Sequence, residues 1–441
     1  MDGAAHRTTL IGLARPVYFS LLASVAAGII NTLWVARLGG GAVAAVAVAT
    51  NVENVLLGVA LVFGSGTTVL VAHARGADDL SGVRAAVRGG WGLCGLVVPV
   101  VAVGGWLLRE PVARLVLGGD GGSALGLAVA YFAVSMPGMA VFFTQQLVDG
   151  ILKGAGDTRT PMRLALLANG LILAADPLLI HAYGVVGAAV STVAARSVAL
   201  GAGLVALRRN PLLRKASAAP LQASGAVRRT LRTGLPMSAD FTVRQAGALA
   251  LIAVVARLGV TAVAAYAIAY KALYVATMAF YAVRQAASIH TAHRRGAGHD
   301  ERGAIGRQTV RVAGAAGGVA ALLYLGLAPW LMRAFGASPE VSAQGALFLR
   351  CVGPYLVLMA AFIALGGVFE GSGGSPQVLR VTVVGTALQL PCAAWLSGLW
   401  GLAGVCAAMG LAMAVQCGCL VVLARRGAAQ GAALTDWSRA A

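Results

Sequence analysis

Residues 35–49 read VARLGGGAVAAVAVA, and residues 255–269 read VARLGVTAVAAYAIA. Eleven of the fifteen positions are identical at an offset of 220, including the whole string from Val35 to Gly39 and from Val255 to Gly259. The same offset pairs Pro16 with Pro236 and His73 with His293, so the register survives across two apolar segments. Further along it drifts to 217, where Pro137 meets Pro354, Gly154 meets Gly371, Gly184 meets Gly401 and Gly187 meets Gly404. One helical unit is used twice. Duplicated apolar units facing each other across a pseudo-symmetry axis are the architecture in which membrane transporters place substrate and ions.

The chain has 441 residues, of which 59% are hydrophobic and 11% charged, with a mean hydropathy of +0.82. Such a composition cannot cover a water-facing surface and implies solvation by lipid. Twelve apolar stretches can be counted, at 11–34, 42–71, 91–108, 124–147, 161–180, 184–207, 234–256, 260–288, 311–332, 343–368, 376–397 and 401–423. Each is near or above the roughly 20 residues that cross a bilayer as a helix. Strands are a poor alternative because the runs lack the alternation of a membrane barrel. The expected fold is an all-α membrane protein of twelve transmembrane helices in two parallel six-helix repeats.

A net charge of +19 would suggest nucleic acid in a water-soluble protein. Here the basic residues sit in short loops, with no stacking aromatics interleaved, so nucleic acid is not expected as a partner. With the amino terminus inside, inner loops and ends hold 24 Lys and Arg against six outside, which places both termini in the cytoplasm of a multi-pass plasma-membrane protein. The first apolar stretch belongs to the repeat and is not expected to be cleaved. All six cysteines lie in apolar spans, so no disulfide framework or metal site is expected from them.

The strongest break in hydrophobicity before the carboxyl end is a basic stretch around 208–232. Residues 1–210 therefore read as an amino-terminal lobe with helices 1–6, 211–230 as a cytoplasmic basic linker, and 231–441 as a carboxy-terminal lobe with helices 7–12. Six spans per lobe make the repeats parallel. Pro16 and Pro236 begin or interrupt the first helix of each lobe, where a missing backbone hydrogen bond permits bending.

Three segments resemble the multidrug and toxic compound extrusion (MATE) family. Pro16 followed by Asn31 to Gly39 (NTLWVARLG) is similar to that family's first helix. Gly154 to Pro161 (GAGDTRTP) matches its inner loop between spans four and five. Asp176 to Ile180 (DPLLI), with Gly184, Gly187, Ser191 and Thr192 beyond, follows its fifth and sixth spans. The resemblance covers nearly the whole chain. It implies alternating access between two lobes and export of small organic molecules driven by protons or sodium. It also implies a coupling site from the first, fifth and sixth helices, onto which Asp176 and Thr192 map. Asn31 replaces the family's first aspartate, and Ile172 stands where an asparagine is expected. A sodium site wants several oxygen ligands and compensating charge, so protons are favoured and sodium is second.

The ionisable groups inside the spans are few, and each costs about 2.5–3.5 kcal/mol at bilayer depth unless it meets a partner or a wet cavity. Asp176 lies in the outer half of span five with Asn169 two turns earlier on the same face, placed to take up a proton from outside. Glu53 sits near the middle of span two beside Asn51 and Asn54. Lys271, at the place equivalent to Asn51, could oppose Glu53. Asp240 and Arg244 are four apart on span seven and can pair. Lys271, Tyr274, Met278, Tyr281 and Gln285 form a stripe on span eight suited to line a substrate cavity. Arg284, near the inner mouth, reads as snorkelling, and His290, His293 and His299 as solvated. Asp240 against Arg244, Lys271 and Arg284 makes this wall net positive, from which an anionic or zwitterionic substrate is expected.

A positive wall also suits a lipid-linked oligosaccharide flippase, the main competing function. A membrane-embedded prenyl transferase would need paired Asp-rich motifs, and Asp78-Asp79 stands alone. No Gly-Lys-Ser/Thr phosphate loop is present, which argues against direct ATP drive. The expectation is a proton-coupled antiporter, not an enzyme, without cofactor or bound metal, acting as a monomer in the lipid bilayer.

Overall fold

The computed structural model describes residues 3–117, 122–219, 225–334 and 338–440, with the side chains of 123 and 426–440 excepted. The described residues form fourteen helices and no strand. In order they are α1 (Gly3–Ala36), α2 (Gly40–Gly76), α3 (Leu80–Leu107), α4 (Arg109–Leu117), α5 (Gly122–Gly154), α6 (Arg159–Arg209), α7 (Pro211–Ala218), α8 (Ala226–Ala256), α9 (Val260–Gly296), α10 (Arg302–Ala334), α11 (Pro339–Cys351), α12 (Gly353–Gly371), α13 (Ser375–Trp400) and α14 (Leu402–Ala440). Eleven of these are long and apolar enough to cross a membrane.

The twelfth crossing is inside α6. Its 51 residues would run about 77 Å at 1.5 Å per residue, far beyond a hydrocarbon core of about 30 Å. The backbone turns at Gly184, with φ 59° and ψ −136°, a conformation that glycine alone adopts without strain. Gly401, its partner at offset 217, repeats this with φ 58° and ψ −135° between α13 and α14. Just beyond each turn a glycine lets the chain fold back tightly. A Cβ on Gly187 would stand 1.9 Å from the Leu179 carbonyl oxygen, and one on Gly404 would stand 2.0 Å from that of Leu396. The quoted repeat has the same physical basis: Gly39 and Gly259 open α2 and α9 with φ of 102° and 100°.

The expected tenth span differs in detail. It is divided at Val352 into α11 and α12, with Pro354 in the first turn of α12, where its missing N–H costs nothing. Pro16, Pro137 and Pro236 lie inside α1, α5 and α8. The stretch read as linker contains α7, whose first turn is capped by the Asn210 side chain at 3.1 Å from the Leu212 amide; residues 220–224 of it lie outside the described residues.

The chain divides into two compact units. One comprises Pro16–Ser238 and Ala292–Gly298, the other Met1–Arg15, Ala239–Thr291 and His299–Ala441. The chain passes from one unit to the other at Pro16 within α1 and two residues after Pro236 within α8. In the first unit α5 is central and packs on α2, α3, α4 and α6. Gly150 and Gly154 permit the closest approach, since a Cβ on either would fall 2.5 and 2.7 Å from the carbonyls of Gly64 and Thr68 on α2. In the second unit α12 takes this place, with twelve of its nineteen residues buried.

The GAGDTRTP loop is a helix start. Gly156 supplies a φ of 86°, and Asp157 Oδ1 accepts from the Thr160 and Arg159 amides at 2.9 and 3.1 Å. Pro161 then falls in the first turn of α6, where it is tolerated.

Candidate functional site

In the first unit the central feature is Asp176, which is 0% exposed. Asn31 Nδ2 donates to its Oδ2 at 2.8 Å, and the Ser191 hydroxyl donates to its Oδ1. Two turns away, Asn169 Nδ2 lies 3.3 Å from Ser24 Oγ. Steps of seven residues on both helices make these two rungs a ladder, so α1 and the first span of α6 run parallel and in register. Ile172, one turn from Asp176, is buried between the rungs at 5% exposure. The hydroxyl on Asp176 comes from Ser191 and not from Thr192, which is half-buried beside it. One helical residue turns about 100°, and only the tertiary packing decides which of two adjacent hydroxyls faces the acid.

Glu53 is half-buried on α2, within electrostatic reach of Arg196 on α6 and of the Tyr131 phenol on α5. The Arg196 guanidinium lies over the Phe142 ring at 4.6 Å from its centroid, a cation–π contact that offsets part of its desolvation. Asp149 and Lys153, one turn apart on α5, lie beyond it. Sequence reasoning missed Arg196, a charge well inside the stretch 184–207, and Asp149, two residues beyond the stretch 124–147. Asn54 is exposed, and Asn51 lines an open cleft with Thr32, Val35, Val43, Val46, Ala47 and Thr50.

The second unit buries a different set. Asp240 on α8 is 1% exposed. Its Oδ2 pairs with Arg244, the expected i, i+4 pair, and with Arg284 Nη2 of α9 at 2.7 Å; its Oδ1 accepts from Thr382 Oγ1 of α13 at 2.6 Å. Arg284 also donates to Glu370 Oε1 of α12, from Nη2 at 2.5 Å and Nε at 3.1 Å. Four helices are thereby tied by one network. Arg284 does not snorkel; it is 8% exposed and is the network's hub. Glu370, buried at 4%, was not counted in the sequence balance. Two carboxylates meet two guanidiniums, so the buried network is neutral, and of the positive charges counted on this wall only the exposed Lys271 stands outside it.

The span-eight stripe is mixed. On α9, Lys271 and Tyr274 are exposed, Tyr281 and Gln285 are half-buried, and Met278 is core at 5% exposure. His290 is not solvated: it is 4% exposed and its Nε2 lies 2.9 Å from Nδ1 of His6, whose own Nε2 is 3.5 Å from Glu301. His293 is half-buried and His299 exposed. Among the described residues no group of three or more His, Cys, Asp or Glu could hold a metal ion.

The MatE family profile matches this chain twice, at residues 16–178 and 236–395, with starts 220 apart and ends 217 apart, the two offsets of the internal repeat. The chain belongs to the MatE family. The probable multidrug resistance protein YpnP of Bacillus subtilis (strain 168) is 24% identical over 409 residues, covering 91% of each chain. A probable multidrug resistance protein NorM of Thermotoga maritima is 25% identical, covering 88% of this chain and 85% of its own. Among solved structures, an outward-facing multidrug resistance MATE transporter of the MOP superfamily superposes with a TM-score of 0.87 at 21% identity, covering 98% and 97% of the two chains. A MOP superfamily transporter from Pyrococcus furiosus Vc1, described as having a binding pocket of reversed polarity, gives 0.85 at 20% identity and the same coverage. These structures share the fold. This MatE protein is therefore a multi-pass membrane transporter built of twelve crossings.

Proposed function

We propose that this MatE protein is a secondary active exporter of small organic molecules, an antiporter driven by protons that bind Asp176. The observation that carries this is a wholly buried carboxylate whose hydrogen-bond partners, Asn31 and Ser191, are both neutral. A buried carboxylate without a cation is expensive while charged, and a proton removes that cost. Protonation also changes what the site needs. Ionised Asp176 only accepts hydrogen bonds, whereas the acid form donates one. A proton on Oδ1 is met by Ser191 turning its hydroxyl to accept, whereas a proton on Oδ2 requires Asn31 to turn its amide or leave. Because Asn31 is on α1, a proton on Oδ2 shifts the rung that holds α1 against α6, and the change reaches Pro16 along the same helix.

Sodium is the weaker fit. Asn31 presents an amide N–H to the carboxylate, and apolar Ile172 occupies the next turn, so the oxygen ligands that a hard cation needs are few. The names borne by the relatives support small organic molecules as cargo. One proton moving down about 150 mV releases about 3.5 kcal/mol at 2.3 kcal/mol per 100 mV, which sustains a substrate gradient of a few hundredfold when coupling is tight. With the basic loops inside, the protein sits in the plasma membrane with both termini cytoplasmic.

The test is substrate-dependent proton movement in liposomes containing the full chain. Asp176→Asn is expected to lower it by at least about tenfold, equivalent to about 1.4 kcal/mol on the barrier, and to remove the pH dependence of substrate binding. Native proton and substrate fluxes in that variant, or fluxes driven equally by a sodium gradient alone, would sink the proposal.

A further inference from the structure

Helix α5 carries a polar row through otherwise apolar surroundings. Tyr131, Ser135, Gln145, Asp149 and Lys153 fall within about 80° of one another around the helix at 3.6 residues per turn and span about 33 Å along it, with the Phe142 ring, under the Arg196 guanidinium, between Ser135 and Gln145. That length matches the thickness of a hydrocarbon core, about 30 Å. Tyr131, Ser135 and Gln145 are buried, at 6%, 5% and 8% exposure, and Asp149 and Lys153 are half-buried. Two of its polar atoms, Gln145 Oε1 and Asp149 Oδ1, are closed off from the surface and meet no hydrogen-bond partner among the described residues, while Ser135 lies within side-chain reach of Glu53.

Buried polar atoms without protein partners cost about 1–3 kcal/mol each, and a protein tolerates several in a row where ordered water satisfies them. The neighbouring helices turn charge toward the same row. From α2 comes Glu53, and from α6 come Arg196, which is within reach of Glu53, Tyr131 and Asp149, and Asp176, which is within reach of Tyr131. Asp149 and Lys153 close the series at the Gly154 end of α5. All of these residues belong to one compact unit.

We propose that this row on α5 lines a file of bound water that carries protons between Asp176 and the Lys153 end of the helix, with Gln145 as its central positioning residue. The file gives the proton held at Asp176 a way to the opposite side that is separate from any substrate path. Tyr131 and Glu53 stand at its Asp176 end and Asp149 at the other, and the water between them accepts one hydrogen and passes on another. The inference rests on the proton coupling proposed above.

Two measurements test it. On the native protein in liposomes, hydroxyl radicals generated from water by X-rays label side chains beside bound water. Tyr131 is expected to be oxidised several times faster than Tyr266, which is buried at 1% in an aromatic cluster of the other unit. Equal, slow labelling of the two tyrosines would overturn the water file. In reconstituted protein, Gln145→Leu is expected to slow substrate-dependent proton flux by about tenfold, to leave the pH dependence of equilibrium substrate binding intact, and to be rescued largely by Gln145→Asn. Native flux in Gln145→Leu, alongside an inactive Asp176→Asn, would overturn the file and keep Asp176 as the coupling site. Native flux in Asp176→Asn as well would remove both.

Discussion

The two units share a backbone and differ in what they do with buried charge. Gly150 of α5 and Gly367 of α12 are partners at offset 217, and each packs against the carbonyl of a pseudo-equivalent residue, Gly64 and Arg284; a Cβ would fall 2.5 and 2.2 Å from those oxygens. The approach is the same. Yet position 64 has no side chain, while position 284 extends a guanidinium to Glu370, whose own counterpart in the first unit is Lys153. Asp176 has two neutral donors, whereas Asp240 has two arginines and a threonine. The duplicated scaffold thus surrounds its two buried carboxylates differently: one unit keeps an ionic clasp, and the other holds the acid proposed above as the switch.

This contrast breaks most easily at Arg284. Arg284→Ala leaves Glu370 without its partner and Asp240 with Arg244 alone, and unpaired buried charges of this kind cost about 3–5 kcal/mol. Thermal unfolding of the purified protein should show a large loss of stability. A double variant, Arg284→Met with Glu370→Gln, should recover most of it, because the Asp240–Arg244 pair is kept and no buried charge is left without a partner. Asp176→Asn should cost much less, within about 1.5 kcal/mol, the range of a single hydrogen bond, while removing coupled transport. If Arg284→Ala is as mild as Asp176→Asn, the clasp and the switch are not different devices.

The architecture was legible because it rests on repetition and periodicity. The string from Val35 to Gly39 and its copy from Val255 marked two helix junctions, and the apolar runs marked twelve crossings. Local pairs were legible too, since Asp240 and Arg244 are one turn apart. What was hidden depends on packing. Glu370 lies 86 residues from Arg284, and nothing in the spacing joins them. Ser191 and Thr192 are neighbours, and their roles are decided by a turn of about 100°. His290 sits near a helix end rich in basic residues and reads as exposed, but α1 brings His6 over it. The row on α5 could have been found by extending the helical stripe argument from span eight to span four, where Gln145, Asp149 and Lys153 keep the same spacing.

A second pair of variants sharpens the claim that the backbone is shared. Gly187→Ala and Gly404→Ala each force a Cβ onto a carbonyl oxygen, at 1.9 and 2.0 Å. Neither contact can relax without moving helix backbone, so each should cost about 1–3 kcal/mol. The two losses are expected to agree within about 0.5 kcal/mol and to add in the double variant, as for distant sites. Both are read by the same thermal unfolding. A strongly unequal pair would mean that the matched turns at Gly184 and Gly401 carry different loads.

The smallest effect tests where the units diverge outside the membrane. Asp79 caps α3, with its Oδ1 accepting from the Ser81 hydroxyl at 2.6 Å and the Gly82 amide at 2.9 Å. The Ser81 hydrogen bond, followed by that from Gly82, holds this carboxyl below its usual range. At offset 220 the other unit has His299 in this place, exposed and ahead of α10. A carboxylate favoured in the folded state stabilises fully above its ordinary value, near 3.9, and that contribution fades as pH falls through the lower folded value. Asp79→Ala should therefore loosen the first turn of α3 by about 1 kcal/mol at neutral pH, seen as faster hydrogen exchange at Gly82 and Val83. The difference from the native protein should vanish in strong acid, while exchange at the start of α10 stays unaltered by the substitution throughout. An equal loosening at both pH extremes would show that Asp79 acts through packing and not through its charge.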